Sequence, residues 1–222
     1  MIVTIDGPAG AGKSSAARAL AQRLGFRFLD TGAMYRAVTY AALKRGEDLE
    51  DTRAIARVAR EISPELVLTG DSVLLADEDI TRAIRTFEIT TATRHAADCP
   101  EVRSTLVDLQ RQLADGLDVV AEGRDQSTVV FPHAECKIFL TASEEVRAER
   151  RYLDMVNRGE HVSRDEVLEK QRERDDRDSS RPVGALTKAT DAIEFCTDGL
   201  EPDEVVERLM EIVADRRKAV GS

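Results

Sequence analysis

An α/β fold with a parallel sheet is what this sequence predicts, and three observations carry that expectation. A short apolar run at residues 2–5 is followed at once by glycines and then by a helical pattern from Lys13. Short apolar runs recur at 26–29, 117–121, 137–140 and 192–195, alternating with longer stretches of helical periodicity. Buried parallel strands read as continuous hydrophobic runs of this kind, joined by crossover helices. The chain has 222 residues, which suits one compact domain with small inserted lobes. Apolar residues make up 42% of it, enough to build a core and to exclude a disordered chain.

The elements follow in order. Apolar residues Ala17, Leu20 and Leu24 give the first helix a buried stripe, and Gly25 is placed to stop it. The run at 26–29 ends at Asp30, and a helix is expected over 34–44 with Gly46 behind it. Residues 51–61 and 83–97 read as helical. Between them, 66–68 and 73–75 around Gly70-Asp71 read as an antiparallel β-hairpin, which signals an inserted lobe. Pro100 opens a helix whose apolar stripe is Val102, Leu106, Leu109 and Leu113. Strands at 117–121 and 137–140 come next. Residues 144–177 are helical and densely charged, with a break at Asn157-Arg158-Gly159. A last strand at 192–195 and an amphipathic helix over 202–217 complete the pattern.

Composition narrows the function. A net charge of −10 argues against a nucleic-acid partner, because such binding depends on clustered Lys and Arg. The cysteines, Cys99, Cys136 and Cys196, are scattered without a CxxC pair, which points to a reducing cytoplasmic setting. The N-terminus enters a strand directly, with no secretory leader, and no apolar run reaches the length of a membrane span. A soluble cytoplasmic protein is expected, without a membrane partner, and nothing in the sequence calls for more than a monomer.

The strongest motif is Gly7-Pro8-Ala9-Gly10-Ala11-Gly12-Lys13-Ser14, a complete GxxxxGK[ST] between an expected strand and an expected helix. Glycines allow the backbone to wrap an anion, successive N–H groups line the turn, and the helix N-terminus adds its positive end. Lys13 is placed to reach β- and γ-phosphates, and the Ser14 hydroxyl to ligate Mg²⁺. Gly7 to Gly12, with Lys13, Ser14 and Ser15, are therefore the candidate ATP-binding residues.

Neither NKxD nor DxxG is present, so a GTPase is not indicated. A small kinase needs a second phosphate site, and three clusters offer one. Thr31, Tyr35 and Arg36 lie in Asp30-Thr31-Gly32-Ala33-Met34-Tyr35-Arg36, after a strand. Glu122-Gly123-Arg124-Asp125 follows the strand at 117–121. Glu122 is placed to contact Mg²⁺ through water, Arg124 to fork a phosphate, and Asp125 to accept from an exocyclic amine. Arg174, Arg177 and Arg181 recur at helical spacing around Asp178 and would share one face. A single Arg-rich helix is ordinarily a solvated face. Three such clusters beside an intact phosphate loop favour the functional reading.

Together these motifs resemble bacterial cytidylate kinases. The family pattern IDGP(S/A)GAGK, LD(S/T)GA(M/I)YR, GRDxGTVVFP and ERDxRDxxR is matched in order at residues 5–13, 29–36, 123–132 and 173–181. The resemblance implies a three-layer P-loop NTPase core with a parallel sheet, an inserted NMP-binding lobe carrying a small antiparallel β element, and a short helical lid. The implied division is core at 1–30, NMP-binding lobe at 31–98, core at 99–145, lid at 146–165 and core at 166–222. It implies Mg²⁺-dependent transfer from ATP to CMP, and also to dCMP, in pyrimidine metabolism.

The resemblance also assigns roles. Arg36, Arg124 and Arg181 would hold the CMP phosphate, and Thr31 and Tyr35 would line the acceptor side. Arg103 and Asp125 would read the cytosine edge, and Arg174 and Asp178 would reach the pentose hydroxyls. Arg150 and Arg151 would close on ATP, while Lys13, Arg124, Arg174 and Arg181 would act on the moving phosphoryl group. The sequence departs from the family at Gln126 and Ser127, where a hydrophobic residue and Gly are common, and at Arg94, near a position often held by Ser. A kinase of UMP, a sugar acid or shikimate is the nearest rival reading. A non-catalytic NTP-binding module and a nucleic-acid-binding ATPase are the others.

Overall fold

A computed structural model describes residues 1–70, 72–157 and 159–220. Asp71 and Arg158, which fall in the expected hairpin turn and helix break, lie outside the described residues. The strands are β1 (Ile2–Asp6), β2 (Arg27–Asp30), β3 (Leu66–Thr69), β4 (Ser72–Leu75), β5 (Glu78–Asp79), β6 (Val119–Gly123), β7 (Cys136–Thr141) and β8 (Ile193–Cys196). The helices are α1 (Lys13–Leu24), α2 (Thr31–Lys44), α3 (Thr52–Ile62), α4 (Phe87–Asp98), α5 (Pro100–Ala114), α6 (Glu144–Asn157), α7 (Arg164–Ser180) and α8 (Pro202–Val220).

The chain divides into two compact units. Met1–Phe28 and Asp118–Ser222 make one, and Leu29–Leu117 the other. The larger sheet has the order β2-β6-β1-β7-β8, with β1 parallel to both β6 and β7, and β7 parallel to β8. This is the expected α/β P-loop architecture. Val3, Ile5, Ile138 and Leu140 of the sheet are fully buried against Leu20 of α1 and Leu209 and Val213 of α8. β1 and β6 are buried almost along their whole length, while the edge strand β8 alternates between half-buried and exposed residues. The register sets Asp6 beside Gly123, so β1 and β6 end level with each other. Their C-terminal ends carry the phosphate loop and the Gly123-Arg124-Asp125 segment, as expected for ligand sites in a parallel sheet.

The second unit contains α2 to α5 and an antiparallel sheet in the order β3-β4-β5. Leu66 pairs with Leu75 and Thr69 with Ser72, the register expected of the hairpin.

Several boundaries differ from the sequence reading for physical reasons. Helix α2 starts at Thr31, three residues early, because the Asp30 carboxylate caps it by accepting from the Ala33 N–H. Strand β6 starts at Val119, and Leu117 is 46% exposed instead of buried. In α5 the buried stripe includes Arg103 and Gln110 beside Val102, Leu106 and Val107. A one-turn π-helix, Gln126–Val130, follows β6 and had no counterpart in the sequence pattern.

Candidate active site

The phosphate loop, residues 7–12, joins β1 to α1. Gly7 has φ +150°, and a Cβ there would lie 1.9 Å from the Leu140 carbonyl oxygen, so no other residue fits against β7. Gly12 occupies the N-cap of α1 with φ +87° and leads directly into Lys13. Lys13 is buried, and its Nζ donates back to the Pro8 carbonyl at 2.8 Å across the loop. Burial pulls its pKa down to about 7, and the Arg124 and Arg174 guanidinium groups act in the same sense. Glu122 and Asp6 oppose them. One lysine is therefore surrounded by both signs of charge inside the fold.

Ser14, in the first turn of α1, donates from Oγ to Glu122 Oε1 at 2.7 Å. A hydroxyl and a carboxylate held together beside the loop form the oxygen donor set that Mg²⁺ prefers, so these residues fit the ion. Ser15 follows on α1 and is exposed.

The segment after β6 is anchored by Asp6. Its fully buried carboxylate accepts from the N–H groups of Gln126, at 2.9 Å, and Ser127, at 2.7 Å, and from Ser127 Oγ. Burial pushes the Asp6 carboxyl up, and the hydrogen bonds from Ser127 and Gln126 pull it down. These contacts hold the two residues directly after Asp125, itself buried. Sequence reasoning treated Gln126 and Ser127 only as departures. A lone Asp at a strand end carries no signal that could have revealed the anchor.

Helix α7 supplies the remaining cluster. It opens with a capping box between Ser163 and Glu166. Asp178 accepts from Arg124 Nε at 2.9 Å and from Arg181 Nη2 at 2.9 Å, so one carboxylate clamps two guanidinium groups. Burial works against ionisation of Asp178, but Arg124, Arg174 and Arg181 outweigh it and hold the carboxyl below the usual range. Arg174 is half-buried, and its desolvation, with Arg124 nearby, lowers its pKa to about 10. Arg177 does not share this face and is exposed. The expected triplet of arginines is thus Arg174 and Arg181 around Asp178.

On α6, Arg150 donates to Thr197 Oγ1 at 3.1 Å and to the Thr197 carbonyl at 3.2 Å. Its Nη1 lies 3.9 Å from where a Cβ on Gly12 would stand, so it borders the phosphate loop. Arg151 is half-buried and adds its charge to the surroundings of Arg174.

The second unit holds the other candidates. Thr31 opens α2 and is buried. Arg36 Nη2 pairs with both oxygens of Asp30, at 3.3 and 3.2 Å, and Arg85 lies 3.8 Å from the same carboxylate. Arg103, buried on α5, donates to the Ala97 carbonyl and stands over the Tyr35 ring at 5.6 Å. Arg94 is exposed and donates to His95 Nε2.

The decisive observation is the order of the four motifs on this scaffold, matched save for Ser127 in the third, and residues 3–215 match the family profile described as Cytidylate kinase. The chain belongs to the cytidylate kinase family. That family consists of nucleoside-monophosphate kinases, which are phosphotransferases. A cytidylate kinase from Rhodopirellula baltica is 48% identical over 215 residues, covering 97% of this chain and 93% of that protein. One from Mycobacterium leprae is 47% identical over 221 residues, covering 99% and 98%. Among solved structures, a shikimate kinase from Bacteroides thetaiotaomicron has a TM-score of 0.50 at 13% identity, covering 96% of this chain and 98% of that one. That likeness concerns the fold. Among the described residues, no helix is long and apolar enough to cross a membrane.

Proposed function

We propose that the protein transfers the γ-phosphoryl group of ATP to CMP and dCMP, giving CDP or dCDP and ADP, with Mg²⁺ required. The observation that carries this reading is the charge cluster of buried Lys13 and Glu122 with half-buried Arg124 and Arg174, and Asp178 clamping Arg124 and Arg181. Phosphoryl transfer needs little covalent chemistry from the protein. It needs cations fixed where charge develops on the transferred group.

The backbone N–H groups of the loop bind the polyphosphate. Lys13 supplies positive charge to the β- and γ-phosphates, and Arg124, Arg174 and Arg181 stabilise the group in flight. Ser14, with Glu122 through water, would hold Mg²⁺, which when bound neutralises charge on the phosphate oxygens. Asp178 keeps Arg124 and Arg181 oriented before substrate arrives, so their ordering cost is already met. Arg36, with Arg124 and Arg181, binds the acceptor phosphate, and Thr31 and Tyr35 line its side. Arg103 and Asp125 read the cytosine edge, which favours a nucleotide over shikimate or a sugar acid. Arg150 and Arg151 close on ATP and exclude water, which suppresses hydrolysis. Substitution tests these roles: Arg36→Ala, Arg124→Ala and Arg181→Ala are each expected to lower kcat/KM for CMP by about a hundredfold or more. Near-normal activity in all three would overturn the site.

A further inference from the structure

Arg147 has no role in the mechanism above, yet it is placed at the phosphate loop. It lies near the start of α6 and is only 5% exposed. Its guanidinium is committed to protein groups. Nη1 donates to the Ala9 carbonyl at 3.0 Å and pairs with Asp175 Oδ2, and Nε donates to the Ala142 carbonyl at 3.1 Å. Burying a full charge is costly unless its partners are fixed. A planar guanidinium fork spreads five donors over such partners in a fixed geometry, where an ammonium offers three donors from a single point.

The Ala9 carbonyl is the informative partner. The peptide bonds of the described chain are trans, so the Ala9 carbonyl and the Gly10 N–H point in opposite directions. Binding the carbonyl to Arg147 therefore turns the Gly10 N–H away from α6. The loop backbone also rests directly on that helix. A Cβ on Gly10 would stand 3.1 Å from Arg147 Cβ and 3.2 Å from its carbonyl oxygen, and Gly10 has φ +82°. The same guanidinium reaches α7 through Asp175, the neighbour of Arg174.

We infer that Arg147 is a positioning residue. It orients the Ala9–Gly10 peptide for donation to the polyphosphate and links that orientation to the placement of α7. Donor affinity then depends on how α6 and α7 are seated. The inference rests on reading the loop as the polyphosphate cradle.

The test uses the full chain and four variants: Arg147→Lys, Arg147→Met, Asp175→Asn and, as a control on the cradle, Lys13→Met. Calorimetric binding of inorganic triphosphate is measured on each, with KM for ATP and for CMP and the thermal midpoint. Wild-type protein should bind triphosphate and Lys13→Met should bind it far more weakly. Both Arg147 variants should bind it at least about tenfold more weakly, with KM for ATP raised to match and KM for CMP within about twofold. Asp175→Asn should fall between them and the wild type. If Arg147→Met does not fold, Arg147→Lys decides, since it keeps the charge and loses the fork. Folded Arg147 variants with unchanged triphosphate affinity would overturn the inference and leave the cradle standing. Parallel losses for ATP and CMP would also overturn it, as the mark of general destabilisation. A wild-type protein that binds no triphosphate would remove the cradle reading, and this inference with it.

Discussion

Ser14 Oγ donates to Glu122 Oε1 across 2.7 Å, joining the first turn of α1 to the end of β6. The bond connects two motifs that are 108 residues apart in the chain. It also pre-sets the hydroxyl proposed to ligate Mg²⁺ and the carboxylate proposed to contact it through water. Ser14→Ala should therefore raise the Mg²⁺ concentration for half-maximal activity and lower kcat by about tenfold to a hundredfold. A Mg²⁺ titration of the coupled assay checks this. An unchanged midpoint would remove Ser14 from the metal site.

Lys13 should make donor binding pH-dependent. Its pKa lies near 7 because burial, Arg124 and Arg174 disfavour the ammonium. A polyphosphate favours the ammonium and raises that pKa. At pH 8 the free protein holds Lys13 largely neutral, so ATP binding should take up a proton. At pH 6 uptake should be near zero. Calorimetry in two buffers of different ionisation enthalpy measures it, and Lys13→Met should abolish the buffer dependence.

Asp178 should stabilise the fold in a defined pH window. Its folded pKa is depressed below the ordinary 3.8, so its contribution is complete above the unfolded value and is lost as pH falls through the folded one. Asp178→Asn should cost on the order of 2–3 kcal/mol at pH 7, by leaving Arg124 and Arg181 without their carboxylate. Denaturant melts of both proteins should show a gap that is constant above about pH 5 and closes below pH 4. Turnover should fall about tenfold or more as well, because the same clamp orients both arginines.

Asp6 and Ser127 can be separated by substitution. Ser127→Gly keeps both backbone hydrogen bonds to Asp6 and loses only the hydroxyl, so it should cost about 1 kcal/mol. Asp6→Asn places an amide against three donors and should cost about 2–4 kcal/mol. It also removes a charge that supports the Lys13 ammonium, so the Lys13 pKa should fall further. Urea unfolding measures the first two effects, and the proton uptake above measures the third.

The sequence carried the parts of this site that are written as local patterns. GxxxxGK[ST] announces itself because every position answers to one loop conformation. The hairpin, at Leu66–Thr69 and Ser72–Leu75, was legible from the two short apolar runs, 66–68 and 73–75, on either side of Gly70-Asp71. What stayed hidden depends on long-range placement. Asp6 is a single carboxylate 121 residues from Ser127. Arg147 sits in a run of mixed charges that reads as solvated surface. Arg103 and Gln110 occupy an otherwise apolar helix face, where pattern alone expects leucines. Strand β5 has only two residues, Glu78 and Asp79, and no apolar signal. Arg177 kept the helical spacing of its neighbours, yet only the fold shows that Asp178 takes the inner position.

The proposed reaction is phosphoryl transfer from ATP to a cytosine nucleotide. It is tested most directly by ADP release from ATP–Mg²⁺ with CMP, dCMP, UMP, AMP, GMP and shikimate as acceptors. Strong turnover is expected with CMP and dCMP, weaker turnover with UMP, and a loss of that preference in Asp125→Asn and Arg103→Ala. Turnover that ignores the acceptor, or prefers a purine nucleotide or shikimate, would contradict it.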